Sequence, residues 1–385
     1  RVFDVLSPIA AAAMLATASR LLLVASSQAF HPGVPLLRTR WLRSTHAIMA
    51  DDDFAGYVPK TVFMFPGQGA QTVGMGAQVA AEIPAAAELY EKASKILGYD
   101  LLAKCTNGPK EELDTTVISQ PAIFVSSMAA VEKLRASEGG AEAIEAASAA
   151  CGLSLGEYTA LCFAGAISFE DGVRITKARG EAMQAASDAS DSGMASIIGL
   201  DAETAAKLCE AAAEATGEPV GIANYLCPGN YACSGSTVAV DKVMELAKPE
   251  FKARMAVKLA VAGAFHTNFM APVCDPWRHS LFSARQYTAG AQAWSHCLLQ
   301  QAVEKLAEVL KSVEVVKPRI PVISNVDAKP HSDPAVIKDI LTQQVTAPVQ
   351  WETIMTEMIA NGFEEGYELG PGKVLAGIMK RIDKK

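Results

Sequence analysis

The chain is short of several things that would define a function class. Its eight cysteines are scattered, with no Cys-x-x-Cys pair and no metal-ligand spacing. That pattern fits reduced, mostly buried thiols and excludes a disulfide framework or a zinc site. No uninterrupted apolar run reaches the ~20 residues that span a bilayer. Positive charge is also in deficit: 34 Lys and Arg face 42 Asp and Glu, a formal net charge of −8. A general nucleic-acid binder needs the opposite balance. Histidines number only six, so a histidine base can be sought by elimination. What the chain has is length and apolar residues: 385 residues, half of them hydrophobic, enough for one large domain or a large and a small one.

One shortage is local. Residues 1–50 carry a single acid, Asp4, against Arg20, Arg38, Arg40 and Arg43. Ile9–Ala25 is a mainly apolar stretch interrupted by Arg20, and small residues follow, then Phe30. This composition resembles a secretory signal joined to a transit segment, the two-part leader of algae with secondary plastids. Residues 1–57 are therefore expected to be a leader, with delivery to the plastid stroma. A simple secretory signal or a mistranslated upstream region is the alternative.

The stretch that organises the rest is Gly152-Leu153-Ser154-Leu155-Gly156-Glu157-Tyr158. Its Gly-x-Ser-x-Gly pattern suits a serine on a sharp strand-to-helix turn, because glycine removes the flanking Cβ atoms that would clash. The Leu155 N–H, at the helix start, can receive a developing oxyanion. The pattern alone also fits an ordinary turn. The small apolar run Ala141–Ala150 before it and the unbroken Tyr158–Ala164 after it favour the strand–turn–helix context.

Upstream, Thr61-Val62-Phe63-Met64-Phe65 reads as a strand ending in Pro66-Gly67-Gln68-Gly69. The loop lacks the Gly-Lys-Ser/Thr of a nucleotide P-loop, leaving close backbone approach and the Gln68 amide as its assets. Ala77–Leu97 and Thr115–Leu134 read as helices, as does Phe169–Ala186, which carries Arg174, Lys177 and Arg179. From 193 to 261 the order is strand, helix, strand, strand, helix, strand, the split βαβ of a small ferredoxin-like subdomain. His266 follows at the end of its last strand. His31 and His46 fall in the leader, His279 and His296 in an atypical segment, and His331 in a turn-rich loop, so His266 is the candidate base. Arg319–Val326 reads as a further strand, Asp333–Gln344 as a helix, and Gly366–Gly372 as a last strand and turn. Such alternation predicts an α/β fold: a large α/β-hydrolase-like domain (58–192 and 262–385) with a parallel sheet, and the ferredoxin-like subdomain (193–261) inserted in it.

Taken in order, Phe65–Gln71, Gly152–Tyr158, Ala178-Arg179-Gly180, Phe265-His266, Pro348-Val349-Gln350-Trp351 and Gly370-Pro371-Gly372-Lys373 resemble the malonyl-CoA:acyl carrier protein transacylases. The resemblance covers about Val58–Lys385. It implies Ser154 as nucleophile, His266 as its base, and a backbone carbonyl at Gln350 orienting the imidazole. Gln68 and the Leu155 N–H would form the oxyanion hole. Arg179 would hold the malonyl carboxylate, and Asn224 would contact substrate. It further implies malonyl-CoA and acyl carrier protein as substrate and partner. No cofactor, metal, nucleic acid or membrane is implied for the mature form, and a monomer is expected. A serine hydrolase or thioesterase shares the elbow, and a catalytically dead carrier-binding module is the non-enzyme alternative.

Three departures from the family pattern stand out. Leu153 replaces the usual histidine before the nucleophile, Leu226 replaces a second asparagine, and Val273–Gln301 intervene where the family runs almost directly into a helix. The segment is rich in Trp, Gln, Arg, His and Ser without a period, and joining Pro272 to Ala302 restores a helical pattern. A translated intron is expected there; a surface loop near His266 is the alternative.

Overall fold

The computed structural model describes residues 52–259, 263, 265–267 and 303–383. Most of the leader and all of Val273–Gln301 lie outside them. Described structure starts six residues ahead of Val58, at Asp52. Asp52–Phe54 forms a 3-10 turn, Lys317 Nζ sits 2.6 Å from Asp53 and over the Phe54 ring, and Tyr57 packs on the core.

A parallel sheet lies at the centre, built from β1 (Thr61–Phe65), β2 (Ala149–Gly152), β7 (Val322–Ile323) and β8 (Glu365–Glu368) in the order β7-β2-β1-β8. Strand β1 is buried on both faces, which is why it reads as an apolar run rather than an alternation. Phe63 and Phe65 join one core with helices 155–163, 169–188 and 334–344. Val62 and Met64 join the opposite core with helices 351–360 and 374–382. A further helical layer, including 84–97 and 116–135, closes over the first of these.

The second sheet holds β3 (Ser192–Ile198), β4 (Val220–Cys227), β5 (Asn230–Ser236) and β6 (Met255–Lys258), all antiparallel, in the order β4-β5-β3-β6. That is the ferredoxin-like order, with helices 202–216 and 237–247 covering one face. Side chains cap the helix starts where the sequence offers them: Asp201 accepts from Thr204 N, Ser236 from Ala239 N, and Asp333 from Ala335 N and Val336 N. The second sheet meets the segment ahead of helix 351–360, where Tyr225 N donates to Val349 O and Val349 N to Ala223 O, each at 2.9 Å.

Two expected elements are shorter than the sequence suggests. Ala77–Leu97 is two helices, because Ile83 precedes Pro84 and is held extended. Within Arg319–Val326 only Val322 and Ile323 pair, since the chain turns away at Ser324 to bring Asn325 behind the serine elbow.

Candidate active site

The carboxyl ends of β1, β2 and β7 lie side by side, and each supplies a piece of the site. From β2 the chain passes through Leu153 to Ser154, at φ 52° and ψ −102°, and enters helix 155–163 at once. The turn is tight enough to need its glycines: a Cβ on Gly156 would stand 2.1 Å from the Phe65 carbonyl oxygen, and one on Gly67 2.3 Å from that of Leu153. The Gln68 loop after β1 is thereby pressed against the elbow.

Ser154 Oγ lies 2.8 Å from His266 Nε2. On the other side of the ring, Nδ1 faces the backbone carbonyls of Gln344, at 2.8 Å, and Ala347, at 3.3 Å. Carbonyl oxygens only accept, so Nδ1 carries the hydrogen and the neutral ring presents the Nε2 lone pair to the serine hydroxyl. Burial, aided by the nearby Arg179 guanidinium, pushes the imidazole down to about 4, so it is neutral at physiological pH.

These carbonyls correct the expectation for Gln350. Its own carbonyl accepts from Ile354 N within the first turn of helix 351–360, and so points along that helix. Helix 334–344 instead ends at Gln344, where the last carbonyls lack partners inside the helix and carry its negative pole. That end orients the imidazole.

Arg179 is 1% exposed. Its Nη1 donates to Gln120 Oε1 at 2.9 Å, and its Nη2 to Ser154 Oγ at 3.0 Å and Gln344 Oε1 at 3.1 Å. The guanidinium lies over the Tyr158 ring, and Nε has no partner among the described residues. A buried cation with a spare N–H beside a nucleophile is a seat for an anionic substrate group.

The other expected residues are placed less decisively. Leu155 N opens its helix, as the motif predicts. Among the described residues, the Gln68 side chain reaches Thr116 Oγ1 alone, at 3.5 Å. Asn224 sits on β4 beside Val349, and no described contact joins its side chain to Ser154. Four site residues were not singled out by the sequence: Gln120, Glu157, Asn325 and Gln344. Glu157 is inside the elbow motif and Asn325 at a strand's carboxyl end, which are the signals that point to them. Gln120 and Gln344 lie within helices and carry no such mark.

A family model described as acyl transferase domain matches residues 62–305. The chain is 40% identical over 321 residues to the malonyl CoA-acyl carrier protein transacylase of Escherichia coli K12, covering 83% of this chain and 92% of that protein. It is 38% identical over 330 residues to the mitochondrial malonyl-CoA-acyl carrier protein transacylase of Mus musculus, covering 83% and 78%. The chain belongs to the malonyl-CoA:acyl carrier protein transacylase family. Solved structures agree in fold. The acyl carrier protein S-malonyltransferase of Vibrio cholerae aligns with TM-score 0.71 at 36% identity, over 84% of this chain and 94% of that one. A malonyl-transacylase in complex with a type II PKS acyl-carrier protein aligns with TM-score 0.71 at 32% identity, over 84% and 93%. Membership makes the protein an acyltransferase, and no group of side chains among the described residues is arranged to hold a metal ion.

Proposed function

We propose that the protein moves a malonyl group from malonyl-CoA to the phosphopantetheine thiol of acyl carrier protein through a malonyl ester on Ser154, supplying fatty acid synthesis. The observation that carries this reading is the buried Arg179, whose Nη2 touches the nucleophile. A carboxylate spanning Nε–H and the adjacent Nη2–H takes over the hydrogen now given to Ser154 and sets its thioester carbonyl beside the freed hydroxyl. His266 Nε2 accepts the Ser154 proton as Oγ attacks that carbonyl. The oxyanion turns to the Leu155 N–H, with Gln68 as second donor. The C–S bond breaks and coenzyme A leaves with the proton from His266. The carrier thiol then gives its proton to His266 and attacks the ester, and Ser154 regains its hydrogen on leaving. Asn224, on β4, is the further residue proposed to contact the bound substrate.

Arg179→Ala tests the clamp. The expected result is a fall in malonyl loading of about a hundredfold with some gain in acetyl loading, read as kcat/KM for each donor. Unchanged malonyl loading would place the carboxylate elsewhere. A hydrolase needs no such cation beside its serine, which is why this reading is preferred to it.

The mature enzyme acts as a monomer, without a cofactor or metal. Residues 1–57 deliver it to the plastid stroma, a reading supported by their acid-poor, basic composition; a fluorescent fusion of that segment retained in the cytosol rules it out. We further propose two domains, 58–192 with 262–385 and 193–261, with Asp52–Tyr57 packed against the first and Val273–Gln301 read from an unspliced intron. A mature transcript that keeps codons 273–301 as its dominant form overturns that origin.

A further inference from the structure

Behind the nucleophile lies a side chain that the acyl transfer does not touch. Asn325, fully buried, leaves the end of β7 and lays its amide across the elbow. Its Oδ1 accepts from Ser154 N at 2.6 Å, and its Nδ2 donates to Gly152 O at 2.8 Å. The amide thus bridges both neighbours of Leu153, as a strand's backbone would. Asn325 is itself fixed from two sides. Its N–H donates to Glu157 Oε2 at 3.0 Å, and its carbonyl accepts from Gln350 N at 2.9 Å. The same Glu157 oxygen accepts from Gln344 Nε2 at 2.6 Å. Gln344 Nε2 also donates to Ser154 O at 3.0 Å, while its Oε1 accepts from Arg179 and its carbonyl holds His266. One carboxylate oxygen therefore ties the elbow to the helix end that orients the base and steadies the clamp.

Ser154 needs such a frame. A non-glycine residue at φ 52° and ψ −102° is strained and persists only where its surroundings hold it. The frame also settles which amide serves the oxyanion. With Ser154 N–H occupied by Asn325, the next N–H, at Leu155, is the one left to face the substrate.

We propose that Asn325 and Glu157 are positioning residues of the acyl transfer: Asn325 pins the strained elbow, and Glu157 locks Asn325 to Gln344. The inference rests on the serine-acylation reading above. Without Asn325, Ser154 relaxes toward ordinary backbone angles, and its Oγ leaves the line between His266 Nε2 and the substrate carbonyl. Displacement of that kind costs about a hundredfold in rate.

The test is quenched-flow mass spectrometry of full-length enzyme with malonyl-CoA, reading the rate constant and the amplitude of Ser154 acylation separately. Acylation of the wild-type enzyme establishes the underlying reading, and its absence defeats that reading alone. Given acylation, Asn325→Ala is expected to lower the first-order rate constant about a hundredfold at full amplitude, with malonyl-CoA affinity within about twofold. Glu157→Ala is expected to lower it about tenfold. Glu157→Gln, which keeps an oxygen to accept both hydrogen bonds, is expected to stay within about threefold. A merely structural role lowers amplitude and leaves the rate constant of the surviving fraction unchanged. That outcome overturns the proposal, as does a Glu157→Gln variant as slow as Glu157→Ala. Should Asn325→Ala not fold, the Ala and Gln variants at 157 decide alone.

Discussion

At residue scale the site separates two buried ionisable groups by what faces them. His266 is enclosed by apolar packing, one guanidinium and two carbonyls, and it titrates near 4 rather than at its ordinary 6.5. A neutral base is what acylation requires, so kcat/KM for malonyl-CoA is expected to stay flat from about pH 8 down to about pH 5 and to fall with an apparent pKa near 4. A pH-rate profile of the wild-type enzyme measures this. A limb near 6.5 would mean that the imidazole is solvated in the free enzyme. Ser154 was a candidate from its motif and His266 by elimination among six histidines, whereas Arg179 entered only through the family resemblance, since nothing in its own helix marks it. The mistaken Gln350 shows the limit of that method. A backbone carbonyl leaves no trace in residue identity, and only the helix end at Gln344 shows which one is unspent. The same blindness hid Gln120 and Gln344, whose roles depend on helices meeting from distant parts of the chain.

At element scale the strand–turn–helix from β2 into 155–163 is the piece on which the chemistry depends. Its glycines are required by approach as much as by backbone angle. Gly156→Ala would drive a Cβ to within 2.1 Å of the Phe65 carbonyl, a β1 backbone atom held in the sheet. We expect a loss of about 3 kcal/mol, measured by urea unfolding, together with loss of acylation. A variant as stable as the parent would show the elbow to be less closely packed than described. The ferredoxin-like strand order was readable because β3 to β6 alternate with capped helices of clear period. The β7 strand was over-read, since Arg319–Val326 has strand composition but only two residues find a partner before Asn325 is drawn to the elbow. Composition reports what a segment prefers, and tertiary demand decided the rest.

For the whole molecule, the two buried groups pull stability in opposite directions with pH. His266 has a folded pKa below its unfolded value, so its contribution is present above 6.5 and lost as pH falls through about 4. Burial pushes Glu157 up to about 7 against the hydrogen bonds from Gln344 and Asn325, so its contribution is present below 4.5 and lost as pH rises through about 7. Each shift is worth about 3 kcal/mol, and over the shared range the two slopes oppose. Glu157→Gln removes one of them. Its unfolding free energy minus that of the parent is therefore expected to grow by about 3 kcal/mol between pH 4.5 and pH 7, followed by urea denaturation at several pH values. A difference that stays constant would place the Glu157 carboxyl in contact with water or an unseen cation.

The central claim is that Ser154 takes a malonyl group from malonyl-CoA, and intact mass of the full-length chain after brief exposure to malonyl-CoA tests it most directly. The account predicts a malonyl adduct in the parent and none in Ser154→Ala. A folded parent that shows no adduct yet releases coenzyme A would contradict it and favour hydrolysis. One that shows neither would leave a carrier-binding protein without this chemistry.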